Sequence, residues 1–190
     1  MRAILFYGKF IFKMNNEFFE SLESALSDIE RALDLSDTEE KFANVFVIGL
    51  PRSGTTVLTQ ALSIATNTSC TNNFVARFWY APLVGASISV ETIFKQLQHS
   101  VLRSDYGRTF SIEEPHEFSR FWQKVRADYE ESESGSRSVV SRLISKLNNL
   151  TRIFTSPLVH KPLELILPLI PDIVDRMEKA IFVYIERNPR

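Results

Sequence analysis

The chain has 190 residues, 44% hydrophobic and 24% charged, with a formal net charge of -1. This is ordinary globular composition, long enough for one domain with a sizeable core, and it carries neither a nucleic-acid footprint nor a membrane-attracting field, though a basic pocket stays compatible with it. The single cysteine, Cys70, excludes an intrachain disulfide framework and a cysteine-based metal site, and the separated His99, His116 and His160 argue weakly against zinc.

Ala3 to Phe12 is apolar apart from Lys9 and too short to span a bilayer. No small-residue cleavage site follows, so no membrane span and no export are expected, the expected compartment is the cytoplasm, and Met14 is a candidate for the true start. Residues 17–34 predict an amphipathic helix through Phe18, Leu22, Ala25 or Leu26, Ile29 and Leu33, with Asn15 or Asn16 as its cap. Asp34 to Lys41 is a charged connector, so residues 1–41 read as an N-terminal extension and helix, and residues 42–190 as the main domain.

Phe42 to Ile48 is nearly unbroken in its apolar character, as a strand covered on both faces should be. Thr55 to Ala65 predicts a helix burying Val57, Leu58, Ala61, Leu62 and Ala65. Thr66 to Asn73 reads as a polar turn, and Phe74 to Pro82 as an aromatic segment carrying one cation, Arg77. Helices are predicted over Ile88 to Leu102, Phe118 to Tyr129 and Val139 to Leu150, with a solvated Ser-rich loop at 132–138. Leu158 to His160 is a short strand ending at Lys161, Pro162 can start a helix that Pro168 and Pro171 must break, and Ala180 to Ile185 is a further strand. Strands interleaved with helices predict an α/β layer fold with a mainly parallel sheet, whose sites gather at the carboxyl ends of strands. Gly49, Lys161 and Arg187 all lie at such ends, and Asn188-Pro189-Arg190 reads as a loop beginning, so the fold is expected to be incomplete at its C-terminus.

The chemistry concentrates in Gly49-Leu-Pro-Arg-Ser-Gly-Thr-Thr56, set between the first strand and the helix. Two glycines let the backbone curl around an anion, and the helix N-terminus adds favourable potential. Ser53, Thr55 and Thr56 add hydroxyls, and Arg52 adds a planar fork suited to phosphate or sulfate oxygens. Thr55 stands where a nucleoside-triphosphate loop needs lysine. The bland alternative is a tight strand-to-helix turn.

This loop resembles the 5′-phosphosulfate-binding loop of sulfotransferases that use 3′-phosphoadenosine 5′-phosphosulfate. Phe182-Val-Tyr-Ile-Glu-Arg-Asn-Pro-Arg190 resembles that family's grip on the 3′-phosphate, and Asn73 to Trp79 and Pro115 to Trp122 resemble its bacterial-type branch. The resemblance covers roughly residues 44–190. It implies a P-loop-like three-layer fold and transfer of a sulfuryl group to an acceptor hydroxyl or amine, the acceptor being a small molecule or carbohydrate, with no metal required. It also implies that Pro51, Arg52, Ser53, Gly54, Thr55, Thr56 and Arg187 bind the cofactor, with Arg52 on the bridging and sulfuryl oxygens and Arg187 on the 3′-phosphate, and that Lys161 is a cation near the reacting group. Fixed cations stabilise charge as the S–O bond breaks, and losing one such donor typically costs about 3–4 kcal/mol. The family motif continues past Arg190, so weak cofactor binding and negligible turnover are expected of these 190 residues.

The acceptor's base is sought among Glu113, Glu114, His116 and Glu117, with His116 and Glu117 foremost, or in a residue outside the chain. The structural alternative makes Glu114 a helix cap and Glu117 a first-turn acid, while His160 reads as a strand-end structural histidine and Cys70 as inert. Arg77 either faces an acceptor pocket or packs on Phe78 or Trp79. Two other functions compete: a P-loop ATPase or kinase, with Glu186 near magnesium, and a non-catalytic fragment that binds a phosphate ligand or a protein.

Overall fold

The computed structural model describes residues 18, 21–22, 24–35, 39–66, 68–92, 109, 111–132 and 136–186. Four strands, β1 (Asn44–Gly49), β2 (Ser69–Cys70), β3 (Leu158–His160) and β4 (Ala180–Ile185), form one all-parallel sheet in the order β2-β3-β1-β4. The helices are α1 (residues 24–33), α2 (Thr55–Ala65), α3 (Pro82–Thr92), α4 (Ser119–Glu131), α5 (Ser136–Phe154) and the short α6 (Ile170–Val174). Two 3₁₀ segments, Val75–Phe78 and Leu163–Leu169, complete the described elements.

Successive side chains of a strand point to opposite faces, and β1 serves both. Phe46 and Ile48 enter a large core with Leu158, Trp122, Leu147 and Ile166, supplied by β3, α4, α5 and the 3₁₀ segment before α6. Val47 joins a small cluster with Cys70 and Val159 on the other face, closed by Leu58 and Leu62 of α2. The result is a three-layer α/β fold, as the sequence pattern predicts.

Helix α2, β3 and β4 have the predicted bounds. Strand β1 starts at Asn44 rather than Phe42, because Asn44 is the first residue to pair with both neighbours. The stretch expected to be only a polar turn contains β2, which pairs Ser69 with Leu158 and Cys70 with Val159, a case of sheet pairing overriding local composition. Helix α3 begins at Pro82, not Ile88, since proline suits a first turn; the predicted residues 93–102 lie outside the described ones. Helix α4 starts at Ser119, one residue later than expected, and α5 extends beyond its prediction at both ends. Pro168 sits inside the 3₁₀ segment, and α6 starts two residues after it, so the predicted break is present.

The face that α2 buries differs most from expectation. Thr55, Thr56, Thr59 and Gln60 are its buried residues, whereas Val57 and Ala65 are exposed. A polar buried face is tolerable only where partners exist, and Thr59 Oγ1 donates to Thr55 O at 2.8 Å. Helix α1 is anchored by Glu30, 6% exposed, whose carboxylate accepts the amides of Leu83 and Val84, each at 3.0 Å, in the first turn of α3. Lys146 of α5 pairs with the same carboxylate at 2.7 Å. A carboxylate at a helix N-terminus satisfies free amides and the helix dipole together.

Candidate functional site

Parallel pairing brings the carboxyl ends of β1, β3 and β4 to one side of the sheet, with Phe46 opposite His160 and Gly49 opposite Ile185. From β1 the chain passes β3 to reach β2, and from β3 it passes β1 to reach β4. Neighbouring β1 and β3 therefore send their connections in opposite directions, which is the switch point where α/β sheets open a crevice for ligands.

The loop after β1 curls back on itself, with Ser53 N donating to Leu50 O at 3.1 Å. Gly54 has φ 104, a conformation natural only to glycine. A Cβ on Gly49 would come within 2.8 Å of Ser53 Oγ and 3.1 Å of Ile185 O, so the backbone here passes where no side chain fits. Helix α2 starts without a side-chain cap and without an acid in its first turn. Its leading amides accordingly lack intrahelical acceptors. Ser53 Oγ is buried with no hydrogen-bond partner among the described residues. Pro51 and Arg52 are exposed in the loop, and Arg52 holds φ 71.

Strand alternation then decides where Lys161 goes. Leu158 faces the large core and Val159 faces α2, while His160 stacks on Phe46 in the large core. One residue further, Lys161 turns to the α2 side. Its Nζ donates to Thr56 Oγ1 at 2.9 Å and lies 3.3 Å from Glu117 Oε1. Lys161 is 2% exposed, and burial lowers its pKa from 10.5 while Glu117 opposes that shift.

Glu117 and His116 are held there by backbone, not by α4. Asn72 bridges to Pro115 in antiparallel fashion, His116 N donates to Thr71 O at 2.8 Å, and Asn73 N donates to Glu114 O at 3.0 Å. Phe118 N donates to His116 Nδ1 at 2.8 Å, so the neutral ring carries its proton on Nε2. Burial lowers the His116 pKa from 6.5, Glu117 raises it, and Lys161 lowers it. Phe118 itself has φ 55, as does Leu163 just beyond Lys161. Arg52, Phe118 and Leu163 are thus three left-handed non-glycine residues flanking one cluster. Such strain costs on the order of 1–3 kcal/mol each and gathers at functional sites.

Two sequence expectations need correction. Glu114 does not cap a helix at Pro115, because α4 begins at Ser119; its Oε2 accepts from Ser111 N at 2.9 Å instead. Glu117 precedes α4 rather than lying in its first turn, which frees it to meet Lys161. His160 has the structural role expected: it is fully buried, Nε2 faces Asn44 Oδ1 at 2.9 Å, Nδ1 faces Thr71 Oγ1 at 3.2 Å, and burial pushes its pKa down to about 3. Cys70 is buried, and burial pushes its thiol up to about 12. Glu113 is half-buried, while Arg187 and His99 lie outside the described residues. Sequence reasoning missed the positioning strip Thr71 to Asn73. Its signal was a pair of asparagines, of which Asn72 is fully buried and accepts Val75 N at 2.9 Å.

The uncapped α2 and the orphan Ser53 hydroxyl present hydrogen-bond donors of the kind a phosphate- or sulfate-type anion takes, and the close approach at Gly49 keeps side chains out of the turn. Among the described residues no group of three His, Cys, Asp or Glu could hold a metal ion, and no helix is long and apolar enough to cross a membrane. No protein-family model, no curated protein and no solved structure matches the chain.

Proposed function

We propose that this chain is a sulfotransferase-type domain that takes a sulfuryl group from 3′-phosphoadenosine 5′-phosphosulfate. One observation carries the reading: Lys161 reaches across from β3 to the phosphate-type loop, its ammonium buried between Thr56 Oγ1 and Glu117. A nucleotide kinase places its lysine within the loop, where Thr55 stands here; this fold supplies the cation from the neighbouring strand instead.

When bound, the cofactor would supply an activated sulfuryl group with the 5′-phosphate as its leaving group, and the acceptor's proton would need a base. The loop amides, Ser53, Thr56 and the exposed Arg52 would hold the 5′-phosphate. Lys161 places positive charge beside it in a site of low dielectric, where such charge acts strongly. His116 presents an Nε2–H donor rather than a free base, because its Nδ1 is occupied by Phe118 N–H. The proton-accepting part then falls to Glu117, whose carboxylate is oriented by Lys161 at 3.3 Å and by Ser119 Oγ at 3.4 Å.

Calorimetry tests this reading. The chain should bind 3′,5′-bisphosphoadenosine without magnesium more tightly than it binds ATP with magnesium. Arg52→Ala and Lys161→Met should each weaken the first ligand. A reversed preference, or wild-type affinity in both variants, rejects it.

A further inference from the structure

A cavity of about 330 Å³, lined by Arg77, Trp79, His116, Phe118, Ser119 and Arg120, meets the cluster at His116. That volume suits one small-molecule ring and its substituents. Its walls divide by chemistry: Ala76 and Trp79 give apolar surface, and two guanidinium-bearing residues contribute positive charge. Arg77 comes from the 3₁₀ segment after β2, and Arg120 from the first turn of α4. Both are exposed residues, and neither forms an ion pair with a described residue. The cavity shares His116 with the cluster, and its Ser119 hydroxyl touches Glu117.

A second cavity, about 250 Å³ between α3, α4 and α5, shows the contrast. It too is lined by cations, of which Lys124 is paired with Asp128 and Lys146 with Glu30 and Asp34, leaving Arg142 outside the described ion pairs. Its charges are largely spent inside the fold. Those of the first cavity remain for a ligand.

Resting on the sulfotransferase reading, we propose that the acceptor is a hydroxyl-bearing ring that also carries its own carboxylate. The ring lies against Trp79, the carboxylate meets Arg77 and Arg120, and the hydroxyl faces Glu117. Guanidinium groups recognise carboxylates through charge-assisted, often bidentate hydrogen bonds. Arg77, which the sequence left undecided between acceptor and packing, belongs to the acceptor side in this arrangement.

The probe is a matched pair, 4-hydroxybenzoate and its neutral analogue 4-hydroxybenzamide, titrated into the 190-residue chain and followed by ligand NMR. The acid should bind about tenfold more tightly than the amide. Arg77→Gln and Arg120→Gln should each reduce that preference without changing amide binding, while Arg152→Gln on α5 should leave it intact. Equal affinity for acid and amide in the wild type, or the same loss of preference in Arg152→Gln, overturns the proposal. Affinity for 3′,5′-bisphosphoadenosine, measured in parallel, separates the two levels. If the nucleotide binds and the acid shows no preference, the acceptor assignment falls while the donor reading stands. If the preference holds and the nucleotide does not bind, the cavity is an anion site and the donor reading falls.

Discussion

The carboxyl end of β3 and the loop before α4 each place a histidine next to an ionisable residue: His160-Lys161 and His116-Glu117. The two histidines have opposite fates. His160 is sealed between Phe46 and Trp122 with both ring nitrogens paired, so nothing is left for a substrate. His116 is half-buried with one nitrogen committed to the Phe118 amide, and it lines a cavity. Their charged neighbours converge, Lys161 and Glu117 meeting at 3.3 Å. What separates a core histidine from a site histidine is how many of its hydrogen bonds the fold itself completes.

Substitution of the two neighbours should break the comparison most sharply. Lys161→Met removes a buried ammonium at little change of volume, and should weaken 3′,5′-bisphosphoadenosine binding about tenfold to a hundredfold by calorimetry, as loss of a charged hydrogen bond does. Comparable loss in His160→Gln with its fold intact would show that the strand end, not the lysine, matters.

Stability should divide the histidines next. His160→Ala takes the ring partner from Asn44 Oδ1 and Thr71 Oγ1 and opens a hole beside Phe46, at about 3 kcal/mol in denaturant unfolding. His116→Ala should stay within about 1 kcal/mol. Equal effects would erase the distinction.

The pH response sharpens it further. Both histidines have lowered pKa values, so the unfolded imidazole binds a proton that the folded one refuses. Their stability contribution is complete above pH 6.5 and is lost as pH falls, for His160 down towards pH about 3. Urea titrations from pH 7 to 4 should show this slope, and the slope should shrink in His160→Gln more than in His116→Gln.

The smallest effect concerns Cys70. With its pKa pushed up to about 12 by burial, the native thiol should resist alkylation at pH 8 and react at once in denaturant. Prompt native labelling would show the α2 face to be open.

Much of the scaffold is legible in the residues. An apolar run, a glycine-bounded turn and a helical pattern define the β1-loop-α2 unit, and short apolar segments ended by Lys161 and Glu186 mark β3 and β4. Strand β2 is not legible because two residues, Ser69 and Cys70, carry no periodicity; only pairing with Leu158 and Val159 makes them a strand. The buried face of α2 was misread for a related reason. Hydrophobic spacing assigns Val57 inward, but the helix turns Thr55, Thr56, Thr59 and Gln60 to the protein beside Leu58 and Leu62, because that side meets Lys161 at Thr56 as well as the small apolar cluster.

From the chain alone come the residue types that chemistry requires, since a curled loop needs glycine, an anion needs amides and a guanidinium, and strand ends collect functional groups. Tertiary structure alone decides which of them meet. Thr56 and Lys161 are 105 residues apart and share a hydrogen bond because β1 and β3 lie side by side in parallel register. Glu117 joins them because the backbone of Thr71 to Asn73 holds its loop in place. Local sequence sets what each segment can offer; long-range pairing, which no local pattern encodes, sets the distances at which those offers become a site.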